Sequence, residues 1–283
     1  MRYKYVLLKR QIAYDLKNGI AYQYKKYLFF ILIIMFLFIR LNRKVSSYNL
    51  NLDNTVIGFW DYLIYLYRGK EVIGSMSQVD IFELPIEWLL IHSYFLLAIG
   101  TYPKVDYGER GHQFLIRLGN KWYWWFSKGI YIIVSVLLYY TTIIVIAFGF
   151  AGISRGSLQK VSLDICYQVL GFDISNLTKS EIVWGTCVMP VIVLMALGII
   201  EMVLSFITSS MVSLIVLLGY LSVSAYWLNE LLLGNYTMLL RIKSVSNVTG
   251  ITISCVCIII FFGLGYFYFK QLDLIGKRRE EIA

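Results

Sequence analysis

The chain has 283 residues and a formal net charge of +9, yet 59% of its residues are hydrophobic and only 15% are charged. This composition, with a mean hydropathy of +0.68, excludes an ordinary soluble domain and leaves no soluble basic surface for a nucleic acid. We therefore expect an all-α polytopic membrane protein, with residues 1–283 forming a single transmembrane domain.

Six apolar stretches are long enough to be membrane-spanning helices, each of which needs about 20 apolar residues. They lie at 22–39, 84–102, 129–151, 182–207, 211–229 and 249–269. The charges between them predict the orientation: with a cytoplasmic N-terminus, sixteen of the 26 lysine and arginine residues lie inside. By the positive-inside rule we expect a multi-pass protein of the cell (plasma) membrane with both termini in the cytoplasm.

Residues 1–26 precede the first span and have the pattern of an amphipathic helix. Apolar residues recur every four positions, at Leu8, Ile12, Leu16 and Ile20, while charged residues such as Asp15 occupy other faces. We expect this helix to lie in the inner membrane interface. A secretory signal peptide is the alternative, but no small-residue cleavage site follows the apolar run.

The segment 40–83 contains an aromatic stretch at 59–67 that is too short to span the membrane and is predicted to cap the outer surface. The second span follows, with Glu87 near its outer end and His92 inside it. These two residues could form a proton or metal pair, or they could make separate hydrogen bonds between helices. Their spacing of five residues places them on different helical faces, so we expect no metal site.

The loop at 102–128, between spans two and three, is basic and polar. Residues 113–118 have the length of about two helical turns, and Gly119-Asn120 has the pattern of a helix stop. This short helix, which begins at Gln113, would present an apolar knob with two basic neighbours: Phe114, Leu115 and Leu118, beside Arg110 and Arg117. Such a loop is either a docking element for a soluble partner or an ordinary connector.

An aromatic stretch, KWYWWFSK at 121–128, follows this loop and leads into the charge-free third span. Its rings suit the headgroup region of a membrane, and we expect Lys121 and Lys128 to reach water from there.

Glu201 is the only charged residue between 182 and 229, a stretch long enough for two spans joined by a tight turn. An intramembrane carboxylate is costly and usually faces the interior of a helical bundle. Glu201 either lines a translocation route, or couples it to the cytoplasmic side, or packs on a polar group of a neighbouring helix.

After these spans, residues 230–243 are too short to cross the membrane, so we expect them to form a re-entrant or outer-surface element before span six. Residues 270–283 form a cytoplasmic tail.

Four stretches resemble one family of membrane proteins. They are Gly100-Thr-Tyr-Pro103, Gly111-His-Gln-Phe-Leu-Ile-Arg117, Trp124-Trp125-Phe-Ser-Lys128 and Gly234-Asn-Tyr-Thr-Met-Leu-Leu-Arg241. In these stretches, and in topology over nearly its whole length, the chain resembles the permease subunits of type-2 ATP-binding-cassette (ABC) exporters.

The resemblance implies a division of labour between chains. Residues 113–118 would be the coupling helix that docks on an ABC ATPase subunit, and a second permease, identical or different, would complete the route. The cargo would be a hydrophobic or amphipathic solute, such as a peptide or a drug. The chain contains no G-x-x-x-x-G-K-[ST] phosphate loop, so ATP and Mg²⁺ would be bound by the partner ATPase and this chain would hold no cofactor.

Two alternatives belong to other functional classes. An intramembrane enzyme such as a protease would need a Ser/His pair, paired aspartates or a zinc site, and the sequence offers only scattered ionisable residues in its spans. A non-transporting immunity or sensor subunit would have the same topology without a route. An ABC ATPase encoded beside this chain would favour the permease over the enzyme.

Overall fold

The computed structural model describes residues 2–48, 56–71, 84–111, 115 and 120–272, and within these ranges the chain is helical, with no β-strand. The all-helical prediction is therefore confirmed for the described part of the chain. Short π-helical turns interrupt several of the helices, for example at Lys17–Ala21, Leu96–Gly100 and Trp184–Val188.

The first half of the chain contains six α-helices. They are α1 (Arg2–Leu16), α2 (Tyr24–Tyr48), α3 (Phe59–Tyr67), α4 (Ile86–Phe95), α5 (Tyr102–Asp106) and α6 (Lys121–Ile153). The π-helical turn Leu96–Gly100 joins α4 to α5, and a second one, Tyr107–Gly111, follows α5. Asn120 caps the N-terminus of α6, since its side-chain oxygen accepts a hydrogen bond of 2.8 Å from the Trp122 amide.

The second half contains four α-helices. They are α7 (Lys179–Val183), α8 (Met189–Ile207), α9 (Ser210–Tyr226) and α10 (Asn247–Gln271). Between α9 and α10 the chain forms two 3₁₀ turns, Leu233–Thr237 and Leu239–Arg241, whose residues are mostly buried. The predicted element at 230–243 is thus a compact, buried segment with no long helix.

Three helices of the described chain are long and apolar enough to cross a membrane. They are Lys121–Ile153, Lys179–Ile207 and Asn247–Gln271. The helix α9 is apolar but shorter, with 17 residues. The helix α2 has 25 residues but carries basic residues near both ends, and the second predicted span is divided by its π-helical turn. Length and composition thus indicate a membrane protein.

The helix α8 lies at the centre of the bundle. It contacts α6, α9 and α10, the π-helical turn Leu96–Gly100 and the 3₁₀ turn Leu233–Thr237. Most of its side chains are buried, whereas α10 has much of its apolar surface uncovered, including Val248, Ile259 and Phe267. A helix that is apolar on all sides suits this central position.

The polar segments meet at two ends of the bundle, one near the start and one near the end of α6, which has 33 residues and is about 50 Å long. The triad end, as we call it, contains Asp15, Asp106 and Lys128. The opposite end, which we call the Arg241 end, contains residues 56–71, 84–87, 154–178 and 227–246. Hydrogen bonds connect its segments: for example, Arg68 donates to the Leu170 carbonyl (3.2 Å).

The N-terminal segment is helical as predicted, but a different face is buried. Gln11, Asp15 and Gly19 form the covered face of α1 and the turn after it, whereas the apolar residues Ile12 and Leu16 are only partly covered. This face packs on α6. The expectation that charged residues such as Asp15 lie away from the buried face is therefore wrong, because α6 supplies a cation for Asp15.

Candidate functional site

Lys128 is the central residue of a buried ion cluster at the triad end. Its Nζ atom lies 2.5 Å from Asp15 Oδ1 and 2.5 Å from Asp106 Oδ2. The side chains of Lys128 and Asp15 are fully buried and that of Asp106 is 5% exposed. These three residues, which we call the triad, join α1, the last residue of α5 and the early turns of α6. The prediction that Lys128 reaches water is wrong.

Hydroxyl groups around the triad satisfy further carboxylate oxygens. Ser127 donates a hydrogen bond of 2.5 Å to Asp15 Oδ2, and the Tyr102 hydroxyl donates one of 3.3 Å to Asp15 Oδ1. The Tyr14 hydroxyl donates to Asp106 Oδ1 at 3.3 Å. Buried carboxylates need such partners because they have lost their hydration.

Two aromatic rings contact the ammonium group of the triad. Lys128 Nζ lies 4.6 Å from the centre of the Tyr102 ring and 4.8 Å from a ring centre of Trp124. The ring faces attract a cation, most strongly where water is excluded. Trp124 and Lys128 are four residues apart on α6 and so lie on one helical face. The aromatic stretch that starts α6 therefore helps to hold a buried lysine.

The charge balance of the triad affects the protonation of Asp15. Burial raises the pKa of this carboxyl group above its ordinary value of 3.8, and Asp106 acts in the same direction. Lys128 and the hydrogen bond from Ser127 oppose that increase. Two carboxylates face one ammonium group, so protonation of one carboxyl group would make the cluster electrically neutral.

The helix α5 is also tied to the end of α8. Lys104 Nζ donates to the carbonyl oxygens of Ser205 and of Thr208, the second at 2.7 Å. The last carbonyls of a helix lack intrahelical partners and carry partial negative charge, so a lysine there is favourable. Residues 102–106 are therefore connected to α1, α6 and α8. In a similar way Lys121 donates to the carbonyls of Lys270 (2.8 Å) and Leu272 (2.6 Å) at the end of α10.

A polar cavity of about 450 Å³ borders the triad on the side of Asp106. Its lining residues come from α1, the turn after it, and the segment around α5: Tyr14, Asn18, Tyr22, Gln23, Tyr102, Val105, Asp106 and Glu109. This cavity gives Asp106 contact with a polar space at the surface, whereas Asp15 is enclosed.

Glu201 lies on α8, one turn before Ser205, and its side chain is fully buried. Neither carboxyl oxygen has a hydrogen-bond partner within the described ranges. The side chain lies against Gly100, since a Cβ atom built on that glycine would collide with Glu201 Oε2. Only a glycine allows this approach. Glu201 therefore contacts the helical segment that leads directly into α5.

The structure covers part of the predicted docking helix. Gln113, Phe114, Arg117 and Leu118 lie outside the described residues, and Arg110 is described only by its backbone, in the π-helical turn Tyr107–Gly111. Leu115 is 3% exposed and belongs to the chain's own core. Leu115 is thus not an exposed anchor, and the predicted knob is reduced to Phe114 and Leu118.

Glu87 and His92 have separate surroundings. Glu87 faces Arg40 and Arg68, whereas His92 Nδ1 is 2.7 Å from the Trp88 carbonyl oxygen of its own helix. The expected hydrogen bond of His92 between helices is therefore replaced by one within α4. Within the described ranges, no group of three His, Cys, Asp or Glu residues is placed to hold a metal ion.

The triad is the principal feature that the sequence interpretation missed. Asp15 and Lys128 are 113 positions apart, so no local pattern connects them. The sequence contained only a weak indication of this pairing. Asp15 is the only acidic residue in 1–26, and Lys128 directly precedes the charge-free third span. Lone charges of opposite sign beside apolar segments are candidates for pairing.

No protein-family model, no curated protein and no solved structure matches the chain.

Proposed function

We propose that this chain is the permease subunit of an ABC exporter and moves a hydrophobic or amphipathic solute outward. A separate ATPase chain would bind ATP and Mg²⁺, and a second permease would complete the route. Six helical passes would cross the membrane: α2, residues 86–111, α6, Lys179–Ile207, α9 and α10. The triad end and both termini would be cytoplasmic, in agreement with the positive-inside rule.

The observation that best supports this proposal is the attachment of α5 to three other helices. Its last residue pairs with Lys128 of α6 beside Asp15 of α1, and Lys104 caps α8. A force applied to the loop after α5 would move these helices together, because packed interiors transmit displacement. Glu201 beside Gly100 extends the contact into the bundle. An ATPase-driven permease needs a mechanical connection of this kind between its docking loop and its membrane helices.

The ATPase itself provides the experimental test. The tagged full-length chain is purified from its native membranes in a mild detergent, and vanadate-sensitive ATP hydrolysis is measured in the eluate. The double variant Phe114→Ala/Leu118→Ala should lose most of this hydrolysis, because truncating each central apolar anchor costs about 2 kcal/mol or more. The matched control is Leu228→Ala/Leu231→Ala, which shortens two exposed leucines at the Arg241 end and should retain the activity.

Two results would overturn the proposal. One is a wild-type eluate without vanadate-sensitive hydrolysis. The other is equal hydrolysis in the eluates of the wild type and the Phe114→Ala/Leu118→Ala variant, which would make the loop a connector.

A further inference from the structure

Glu87, at the Arg241 end, is shared by two arginine side chains from different parts of the fold. Its Oε1 lies 3.4 Å from an Arg40 guanidinium nitrogen, and its Oε2 lies 3.6 Å from one of Arg68. The Tyr65 hydroxyl donates a hydrogen bond of 3.1 Å to Oε1. The Glu87 side chain is 8% exposed, and it brings together the C-terminal half of α2, the residue after α3 and the start of α4.

The positive charges around Glu87 exceed its negative charge. Lys44 lies one helical turn after Arg40 and interacts electrostatically with Arg40, Arg68 and Glu87. Three cations therefore face one carboxylate. The distances from Glu87 to the two guanidinium groups exceed the usual hydrogen-bond range, so these ion pairs leave N–H donors for another acceptor. The Arg40 side chain is 54% exposed, so an anion can reach it.

The position of this cluster along α2 indicates where the anion comes from. The exposed side of α2 is apolar as far as Ile39, with Leu32, Phe36 and Ile39 all uncovered, and Arg40 follows directly. If α2 crosses the bilayer, as in the proposed function on which this inference rests, Arg40 lies at the level of the lipid headgroups. Basic side chains at the end of an apolar helix reach lipid phosphates there.

A cavity of about 330 Å³ adjoins the cluster through Arg68. Its lining includes both charged residues, Arg68, Lys70 and Glu71, and apolar ones, Leu170, Phe172 and Leu240. A space of mixed character suits the glycerol and first acyl carbons of a lipid. A free inorganic anion would use only the charged residues of this lining.

We propose that Arg40, Lys44 and Arg68 bind the phosphate of an anionic phospholipid, with its headgroup or glycerol region in the adjoining cavity. Glu87 orients the two guanidinium groups toward the phosphate. The site is specific for negative lipids because the cluster has two uncompensated positive charges. The zwitterionic lipid phosphatidylcholine carries a trimethylammonium group that these charges repel.

The test uses the purified full-length chain in a neutral detergent. Binding of short-chain phosphatidylglycerol and of short-chain phosphatidylcholine is measured by native mass spectrometry, with inorganic phosphate as a competitor. The wild type should prefer phosphatidylglycerol, and Arg40→Gln should weaken that binding about fivefold, the value typical of one basic residue near an anionic lipid surface. The control is Lys25→Gln, which removes the same charge from the exposed opposite end of α2.

Each contrary outcome overturns the proposal. Equal binding of the two lipids would exclude selection for negative charge, and equal losses in Arg40→Gln and Lys25→Gln would mean general charge attraction. Displacement of the lipid by an equal concentration of inorganic phosphate would make this a site for soluble anions. The assay contains no ATP and measures no hydrolysis, so its failure is distinguishable from a failure of the proposed function.

Discussion

Lys128 is an unusual residue because a fully buried lysine must be compensated by its neighbours. Two carboxylates at 2.5 Å and two aromatic rings provide that compensation. A buried pair adds little net stability compared with apolar residues, but removing one partner leaves an uncompensated charge behind. The effect of a substitution therefore depends on which groups remain.

Lys128→Met should strongly destabilise the protein because it leaves Asp15 and Asp106 buried without their cation. We expect a loss of about 3–5 kcal/mol in the free energy of unfolding, measured as a lowered thermal midpoint of the purified chain. Replacing Asp15 by Asn as well should recover part of this loss. Lys160→Met, at an exposed lysine, is the control. Additive losses in the double variant would contradict the coupling of the triad.

Gly100→Ala tests the contact between Glu201 and the turn that leads into α5. The new methyl group would collide with the Glu201 carboxyl group, and overpacking of this kind costs about 1–3 kcal/mol. In a Glu201→Ala background the same substitution should cost less, because the colliding group is gone. Thermal midpoints of the two single variants and the double variant measure this difference.

The matched control for this pair is Gly219→Ala on α9, where a Cβ atom would meet nothing within 4 Å. It should be neutral or slightly stabilising, because alanine favours a helix over glycine. If Gly100→Ala costs the same with and without the Glu201 side chain, the two residues are not in contact.

The sequence showed which charged residues lie alone in apolar stretches, but not which residues they contact. Glu201 stands out in the sequence because it is the only charge in a long apolar stretch, and the structure buries it. The sequence did not show that the Glu201 carboxyl oxygens lack a hydrogen-bond partner in the described chain. It also did not show that Asp15 pairs with Lys128. Both depend on contacts between segments about a hundred residues apart, which no local periodicity records.

At the scale of elements, Arg241 holds the segment between α9 and α10 in place. Its guanidinium group donates to the carbonyls of Ser224 and Ala225, both at 2.6 Å, and to that of Lys70 at 2.9 Å. It also donates to the Asn235 side-chain oxygen. One buried arginine thus caps the C-terminus of α9 and connects the 3₁₀ turns to it by hydrogen bonds.

Arg241→Gln should release this segment, because a shorter side chain leaves several buried carbonyls unpaired at about 1–3 kcal/mol each. The measurement is thiol labelling of Leu233→Cys, a site that is 1% exposed, in a background without the native cysteines. Labelling should be slow with Arg241 present and fast in the Arg241→Gln variant. Lys243→Gln is the control, since Lys243 donates to the Asn176 carbonyl at the surface.

Equal labelling rates with and without the Arg241→Gln substitution would show that the apolar residues of the segment hold it without the arginine. In that case the hydrogen bonds of Arg241 would be incidental to the packing of the Arg241 end.

The elements of the bundle were predictable to differing degrees. Charge-free runs identified α6 and α10, because length and apolarity alone define such helices. The division of 84–111 by π-helical turns was not predictable, since the close approach of Gly100 to Glu201 depends on tertiary packing. The segment 230–243 was recognisably too short to cross, but its burial around Arg241 depends on partners at 70 and 224–225.

At the scale of the whole molecule, the proposed function requires that the two polar ends lie on opposite sides of a membrane. The described chain supplies three helices of sufficient length and apolarity, and α6 connects one end to the other. An ATPase can act on the triad end only if that end faces the cytoplasm, where ATP is present. Sidedness is therefore the central claim, since both the proposed docking and the proposed lipid site depend on the passage of the chain through the bilayer.

The most direct measurement of sidedness is labelling of single cysteines in intact cells with a membrane-impermeant maleimide. Gly108→Cys probes the triad end, where Gly108 is exposed and a Cβ atom meets nothing within 4 Å. Gln159→Cys probes an exposed position at the Arg241 end. We predict that Gln159→Cys is labelled in intact cells and that Gly108→Cys is labelled only after the membrane is permeabilised. Labelling of Gly108→Cys in intact cells would contradict the account.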